Sequence, residues 1–329
     1  MADLGNSTYT IWLNNFSFQM NRYMSIFIIL FGSVGNVLNL LIFSRPKHRT
    51  NPCAVYFFYA AIAGLIALYS GLTSRIFAGF QLDLSATTEG LCPARAIIVW
   101  VSTTASSWFL TYATVDRYCI SCRQVNRRNL SNLQYTHRLM VLTIAGASLI
   151  FSETFYCYVP NLKGSPLLCY GRNMTCRLYN EIASALLFVF IPSAIMLVFG
   201  YGTVDNVRKL LSSITPTVGT DGTARSIRKT DRQLIQMLIT QVILSTIFNV
   251  PLSIHRLYLT STLAQAKSPL KAAIENLCFQ IFYLLSFLTF GIPFYIYTLT
   301  GTVFKSECKS LFQSIFNNCK LVLLWHVRT

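Results

Sequence analysis

The sequence predicts an all-α membrane protein, a bundle of seven transmembrane helices with a short amphipathic eighth helix on the inner leaflet. Three observations predict this fold class. Charged residues make up 12% of the 329 residues and hydrophobic residues 53%, whereas a soluble domain carries about 25% charged residues. Long uncharged stretches recur along the chain, and basic residues are concentrated in alternate connections between them.

The uncharged stretches are long enough to cross a bilayer, which takes about 20 predominantly apolar residues in an α-helix. Six are unbroken: 23–44, 50–74, 96–115, 182–204, 233–254 and 276–304. A seventh, 139–159, contains Glu153, which we expect at the membrane surface or inside the bundle because a carboxylate facing lipid is costly. The chain therefore divides into an N-terminal tail (1–22), a membrane domain (23–300) and a C-terminal segment (301–329).

Basic residues predict the orientation, because cytoplasmic segments of membrane proteins are enriched in Lys and Arg. With the N-terminus outside, 18 of the 27 Lys and Arg residues lie on the cytoplasmic side. The net charge of +16 then follows from the topology, and no nucleic-acid partner is needed to explain it. We expect a multi-pass protein of the plasma membrane, surrounded by membrane lipid, with its N-terminus outside.

Glycosylation sequons agree with this orientation. Asn6, Asn15 and Asn173 each begin an Asn-X-Ser/Thr sequence on the outer side, where a glycan can be attached. Asn129 also begins a sequon, but on the cytoplasmic side, where it would stay unmodified.

Four of the ten cysteines lie in the oxidising outer environment, where disulfides form: Cys92, Cys157, Cys169 and Cys176. Four cysteines allow three pairings, and the sequence does not choose among them.

The C-terminal segment shows apolar residues at helical spacing between positions 304 and 319. This pattern predicts an amphipathic helix lying along the inner leaflet; a helix packed on another protein is the alternative. Cys308 and Cys319 are candidate lipidation sites, since juxtamembrane cysteines on such helices are accessible to acylation.

Charged residues meet where the third span ends, in Asp116, Arg117 and Tyr118. Asp231 stands at the cytoplasmic start of the sixth span. If the two helix ends are adjacent, Arg117 can pair with both carboxylates and hold the helices together, since a charge-assisted hydrogen bond is strong at a partly dehydrated boundary. The alternative is two solvated helix ends, which would contribute little.

Several motifs resemble those of the rhodopsin-like G-protein-coupled receptors over about residues 23–316, and "RTNPCAVYFF" and "PFYIYTLTG" most resemble FMRFamide-type neuropeptide receptors of invertebrates. The matching residues are Gly35, Asn36, Cys92 at 25 residues before Arg117, Pro192, Pro251, Tyr297 and Phe304. The resemblance implies a disulfide from Cys92 to the second outer loop, with Cys169 as partner and Cys176 as the alternative.

The same resemblance implies a mechanism. An extracellular ligand would shift the bundle so that the sixth helix swings outward, breaks the contact between Arg117 and Asp231, and admits a heterotrimeric G protein. Tyr297 would take part in this switch. Three departures from the family pattern bear on it: Gly64 replaces the usual aspartate of the second span, Asn249 a tryptophan of the sixth, and Pro293 an asparagine of the seventh.

The outer helix ends carry charges of both signs beside aromatic residues, which suits a short peptide ligand. The predicted ligand-binding residues are Arg95, Val99, Trp100, Glu181, Arg256 and Glu275. The resemblance excludes amines, because Val99 stands where amine receptors have an aspartate, and excludes an opsin, because 276–304 contains no lysine. Ordinary solvated helix ends remain the alternative for each residue, and a small-molecule chemosensory receptor or a non-signalling decoy for the whole chain.

Other functional classes lack their sequence signatures. The chain contains no HExxH, P-loop or GxSxG motif, so an enzyme, a metal site and a bound cofactor are not expected. The six unbroken spans contain no charged residue to line an ion path, which argues against a channel or transporter.

Overall fold

The computed structural model describes residues 2–162, 167–212, 221–263, 265–300, 305–306, 308–310 and 313. Within these ranges, the side chains of 2–7, 210–212, 221–238 and 299–300 are outside the description.

The protein is a bundle of helices, seven of which are long and apolar enough to cross a membrane. The seven spans are Thr8–Phe43, Pro52–Gly79, Leu91–Ser121, Leu133–Cys157, Met174–Lys209, Ile239–Ser261 and Pro269–Leu288. Each contains or overlaps one of the stretches predicted from the sequence, including the one interrupted by Glu153. The predicted seven-helix fold is therefore confirmed.

The regular elements follow the chain in this order: α1 Ala2–Phe43, α2 Pro46–Arg49, α3 Pro52–Gly79, α4 Leu84–Thr87, α5 Leu91–Ser121, α6 Val125–Arg128, α7 Leu133–Ile150, a 3₁₀ turn Phe151–Glu153, α8 Thr154–Cys157, β1 Tyr158–Val159, β2 Tyr170–Gly171, α9 Met174–Ser184, a π-helix Ala185–Phe190, α10 Ile191–Ser212, α11 Asp221–Ser261, α12 Pro269–Gly291 and α13 Pro293–Thr300. The third span, α5, lies at the centre, where it packs against α3, α7, α10 and α11.

We call the end of the bundle that holds the disulfides the outer end, and the end that holds Arg117 the inner end. Toward the inner end a core of buried aromatic residues includes Phe57, Phe109, Phe294 and Tyr297. At the outer end a separate core surrounds the disulfides and includes Trp100. The two ends are therefore packed by different sets of side chains.

Two helices extend beyond the stretches marked by hydropathy. The first begins at Ala2, so the segment 2–22, predicted as a tail, is helical. The charge that ended the predicted span, Arg22, donates a hydrogen bond of 2.7 Å from Nη2 to the carbonyl of Gly79 at the end of α3. A cation at a helix C-terminus interacts favourably with the last carbonyls. The sixth helix likewise begins at Asp221, before position 233.

Irregular turns occur near prolines and at a partly buried charge, Glu153. A π-helix, Ala185–Phe190, precedes Pro192, and Pro251 lies inside α11, where it removes one backbone hydrogen bond. The 3₁₀ turn ends at Glu153, whose Oε1 accepts a hydrogen bond of 2.8 Å from Nδ2 of Asn180. Glu153 is therefore partly buried and contacts the fifth span.

A β-hairpin forms the second outer loop, with Tyr158 opposite Gly171 and Val159 opposite Tyr170. Two disulfides hold it, Cys92–Cys169 and Cys157–Cys176. The structure thus selects one of the three pairings that the sequence allowed.

The predicted eighth helix lies largely outside the described residues and stays a prediction. Of the two predicted lipidation sites, Cys308 is 7% exposed and packs into the inner core, so acylation would require this segment to move outward. Cys319 lies outside the described residues.

Candidate ligand pocket and inner switch

A cavity of about 970 Å³ opens at the outer end, lined by the first, second, third, sixth and seventh helices and by the hairpin. A smaller cavity of about 60 Å³ lies deeper. Arg95, Val99, Trp100 and Arg256 line the deeper one, and Arg95 and Glu275 line the wide one. Five of the six predicted ligand-binding residues therefore line one or both of these two cavities.

The sixth predicted residue, Glu181, is 2% exposed and stands behind Arg256. Its Oε2 lies 3.5 Å from Nη1 of Arg256, and Tyr170 donates a hydrogen bond to its Oε1. Burial, together with the negative charge of Glu181, raises the pKa of Tyr170 well above its ordinary value. Tyr170 therefore remains a hydrogen-bond donor to this carboxylate.

Arg256 is also fixed by aromatic rings. Its guanidinium lies 5.0 Å from the ring centroid of Trp100, within the range of a cation–π interaction. The indole Nε1 of Trp100 donates in turn to the hydroxyl of Tyr158, at 3.2 Å. The hairpin and the third and sixth spans thus meet around one buried ion pair.

A second ion pair occupies the rim of the cavity. Lys267 Nζ lies 2.5 Å from Oε2 of Glu275, and the hydroxyl of Tyr258 donates to Oε1 of the same carboxylate at 2.9 Å. His255 Nε2 lies 3.0 Å from the backbone carbonyl of Glu275. A basic group of a ligand would therefore compete with Lys267 for Glu275.

Arg75 is a pocket residue that the ligand prediction missed. It is 4% exposed, lines the wide cavity and stacks 4.1 Å from the ring centroid of Tyr283. In the sequence, Arg75 is a charge at the end of a span, and no spacing pattern distinguishes an inward arginine from an outward one.

At the inner end, Arg117 is held by two helices. Its Nη2 lies 3.8 Å from Oδ2 of Asp116 and donates a hydrogen bond of 2.8 Å to Oδ1 of Asn51 at the start of the second span. Asp116 Oδ1 accepts a hydrogen bond of 2.6 Å from Ser131 Oγ in the following loop. The side chain of Asp231, the other predicted partner, is not among those that the structure describes, so the contact between Arg117 and Asp231 stays a prediction.

Sequence reasoning missed Asn51 as a partner of Arg117. A signal was present, because Asn51 directly precedes Pro52, and Asn before a first-turn proline is typical of a helix N-cap. Its Oδ1 does accept from the backbone N–H of Cys53, at 3.1 Å. The same oxygen then reaches Arg117, which a local capping rule does not predict.

The two predicted tyrosines of the switch lie at different depths. The ring of Tyr118 meets Phe199 of the fifth span edge-on at 5.0 Å, and its hydroxyl accepts from Arg127 Nη1 at 2.9 Å. Tyr297 is 1% exposed, with its ring 5.1 Å from that of Phe57. Tyr118 thus links the third span to the fifth, and Tyr297 links the seventh to the second.

The family model of the seven-transmembrane receptors (rhodopsin family) matches residues 35–297. The chain belongs to this family. It is a G-protein-coupled receptor, a signalling receptor and not an enzyme, as the sequence predicted.

Curated relatives of the receptor share low identity with it. A neuromedin U receptor homolog of Caenorhabditis elegans is 21% identical, covering 91% of this chain and 78% of the relative. Melatonin receptor type 1A of Phodopus sungorus is 24% identical, covering 89% and 80%. Human neuromedin-U receptor 1 is 27% identical over 53% of this chain and 42% of its own.

A polar cavity of about 30 Å³, lined in part by Asn36, lies near the middle of the bundle. Gly64 leaves room beside Asn36, whose Oδ1 would lie 3.4 Å from a Cβ built on Gly64. Asn36 Nδ2 donates instead to the carbonyl of Phe290, at 2.9 Å. None of the described residues that line this cavity is acidic.

Two of the three predicted glycosylation residues have described side chains, and both lie toward the outer end of the bundle. Asn15 and Asn173 are exposed, and Asn173 caps its helix by accepting from the backbone N–H of Cys176, at 2.8 Å. The side chain of Asn6 is outside the description.

Proposed function

We propose that the receptor lies in the plasma membrane with its N-terminus outside, binds a short extracellular peptide at the outer end, and activates a heterotrimeric G protein through the inner end. The observation that carries this proposal is the wide outer cavity of about 970 Å³, bordered by buried charges of both signs. A peptide offers charges of both signs and backbone hydrogen-bonding groups, which such a cavity can match. Two of the relatives described above are named as neuromedin U receptors, which supports a peptide.

The bound peptide changes signalling because it has a higher affinity for one of two packings of the helix bundle and so shifts the equilibrium toward that packing. In the structure, Arg117 is tied to the second span through Asn51 and to its own helix through Asp116. A ligand that favours an open packing releases these contacts and exposes Arg117 to the G protein. Coupling of about 1–3 kcal/mol between the two ends is typical of such linkage.

The test is nucleotide exchange on G proteins in cells that express the receptor, challenged with a library of amidated and free-acid neuropeptides. We expect a peptide response that Arg117→Ala abolishes while surface expression persists. A normal response in Arg117→Ala would contradict the role of Arg117 in coupling.

Variants of the pocket require a control for folding. Removing one partner of a buried ion pair leaves an uncompensated charge, which costs about 3–5 kcal/mol. We therefore compare Glu181→Gln and Arg256→Gln with the double variant, in which neither charge remains. If the pair contacts the peptide, potency stays low in the double variant although its surface expression recovers.

A small-molecule ligand is the second candidate, supported by the melatonin receptor among the relatives and by the deeper cavity that Val99 and Trp100 border. Silence across the peptide library, with a response to small organic compounds, would favour it. Binding of a peptide without nucleotide exchange would indicate a non-signalling decoy.

A further inference from the structure

Arg75 and Arg95 at the outer cavity have no salt-bridge partner among the described residues. Arg75 ends the second span and Arg95 begins the third, and both line the wide cavity. Nη1 of Arg95 donates to the hydroxyl of Ser74, the residue next to Arg75, so the two side chains are neighbours.

Each of the two guanidinium groups has a buried nitrogen that makes no hydrogen bond. Nη2 of Arg75 and Nε of Arg95 are buried without a hydrogen-bond partner. Arg75 is 4% exposed and packs against two aromatic rings. Its Cζ lies 4.1 Å from the ring centroid of Tyr283 and 5.6 Å from that of Phe279. An aromatic ring orients a cation but does not neutralise it.

The acidic residues around the cavity are already engaged. Glu275 is paired with Lys267 and Glu181 with Arg256. Oδ1 of Asp83 accepts from the backbone N–H and the hydroxyl of Ser85. A buried charge without a counter-ion is costly, so the arrangement of Arg75 and Arg95 is incomplete without an anion.

We propose that Arg75 and Arg95 form an anion subsite that binds a carboxylate of the peptide. The inference rests on the proposed peptide function and specifies one chemical group of the ligand. Guanidinium groups bind carboxylates through paired, charge-assisted hydrogen bonds. The carboxylate is either the free C-terminus of the peptide or an Asp or Glu side chain within it.

Unpaired acceptors nearby fit the rest of a peptide. Oδ1 of Asn21 and Oε1 of Gln280 are buried without a donor and line the same cavity. Backbone N–H groups of a bound peptide supply the missing donors. The subsite therefore combines two cations for the acid with acceptors for adjacent amides.

The test measures thermal unfolding of purified receptor in lipid nanodiscs, since a bound ligand stabilises the folded state by mass action. Three probes are compared: N-acetyl-phenylalanine, N-acetyl-aspartyl-phenylalanine amide and N-acetyl-phenylalanine amide. We expect at least one of the two acids to raise Tm, and the acid that does so identifies the source of the carboxylate. Equal stabilisation by the uncharged amide, or by sodium chloride at the same ionic strength, would overturn the proposal.

Variants localise the effect. Arg75→Gln and Arg95→Gln are each expected to weaken binding of the active acid at least about tenfold, because each removes charge-assisted hydrogen bonds. Arg172→Gln is the control: Arg172 also lies toward the outer end, directly after β2, but it is not among the cavity-lining residues and stacks on Tyr156, at 3.6 Å from its ring centroid. An unchanged response in both variants of the subsite would contradict the proposal.

The receptor without probe gives a second readout. Removing Arg75 relieves an uncompensated buried charge, so Arg75→Gln should unfold at the same temperature as the unmodified receptor or a higher one. A clear fall in Tm would instead assign Arg75 a structural role. Because no G protein takes part, carboxylate binding with failed signalling would contradict the proposed function and leave this subsite standing.

Discussion

Asn51 has two roles at the inner end of the receptor. Its side-chain oxygen caps the second span through the backbone N–H of Cys53 and accepts a hydrogen bond from Arg117. A helix cap contributes about 1 kcal/mol to stability. The contact with Arg117 is one of those that we propose the ligand-favoured open packing releases, so its loss should favour activation.

Substitution separates these two roles. Asn51→Ser keeps a good capping residue but is too short to reach Arg117, so basal nucleotide exchange should rise by a factor of about five for a contact of about 1 kcal/mol, with little change in Tm. Asn51→Ala should raise basal exchange equally and also lower Tm. Basal exchange that is unchanged in both variants would show that this contact does not restrain the receptor.

The first and seventh helices approach each other through glycines. A Cβ built on Gly291 would lie 2.8 Å from Cα of Gly32, a backbone atom that cannot turn aside. Small residues allow close helix packing in membranes, where van der Waals contact drives association. This approach places Asn36 against the carbonyl of Phe290, and so sets the packing beside the central polar cavity.

Gly291→Ala should therefore destabilise the receptor by about 1–3 kcal/mol, the usual cost of an overpacked core, and lower Tm in detergent. Gly146→Ala is the control, because a Cβ at Gly146 meets nothing within 4 Å and alanine is the better helix former. Equal effects of the two substitutions would mean that helix propensity, and not the approach to Gly32, determines the result.

Hydropathy predicted the seven spans because lipid contact demands long apolar stretches. It did not predict where the helices end. Residues 2–22 and 221–232 continue α1 and α11, since backbone hydrogen bonds persist in a helix after its side chains turn polar. The two-stranded hairpin was also missed, because its strands have two residues each and show no periodicity.

At the scale of the whole molecule, the proposed orientation rests on the asymmetry of the basic residues, and glycosylation tests it. Removal of N-linked glycans with a glycosidase should lower the apparent mass of the receptor. Replacing Asn6, Asn15 and Asn173 together with Gln should abolish that shift, and Asn129→Gln should leave it unchanged. A shift that depends on Asn129 would reverse the proposed orientation.

The sequence by itself determined the class of protein, the number of spans and the family, through Arg117 with its neighbours and through Cys92. These features depend on composition and on local spacing. It also placed Arg95, Trp100 and Arg256 at the outer end, because consecutive spans cross the membrane in opposite directions and alternate helix ends therefore lie on the same side.

The tertiary structure alone decided which of these groups are paired. It joined Cys92 to Cys169, paired Glu181 with Arg256, and placed Arg75 and Arg95 in one cavity, neither of them in a salt bridge with a described carboxylate. Such choices depend on distances of a few ångströms between residues far apart in the chain. Helix rotation and packing set these distances, and a pattern along one helix does not contain them.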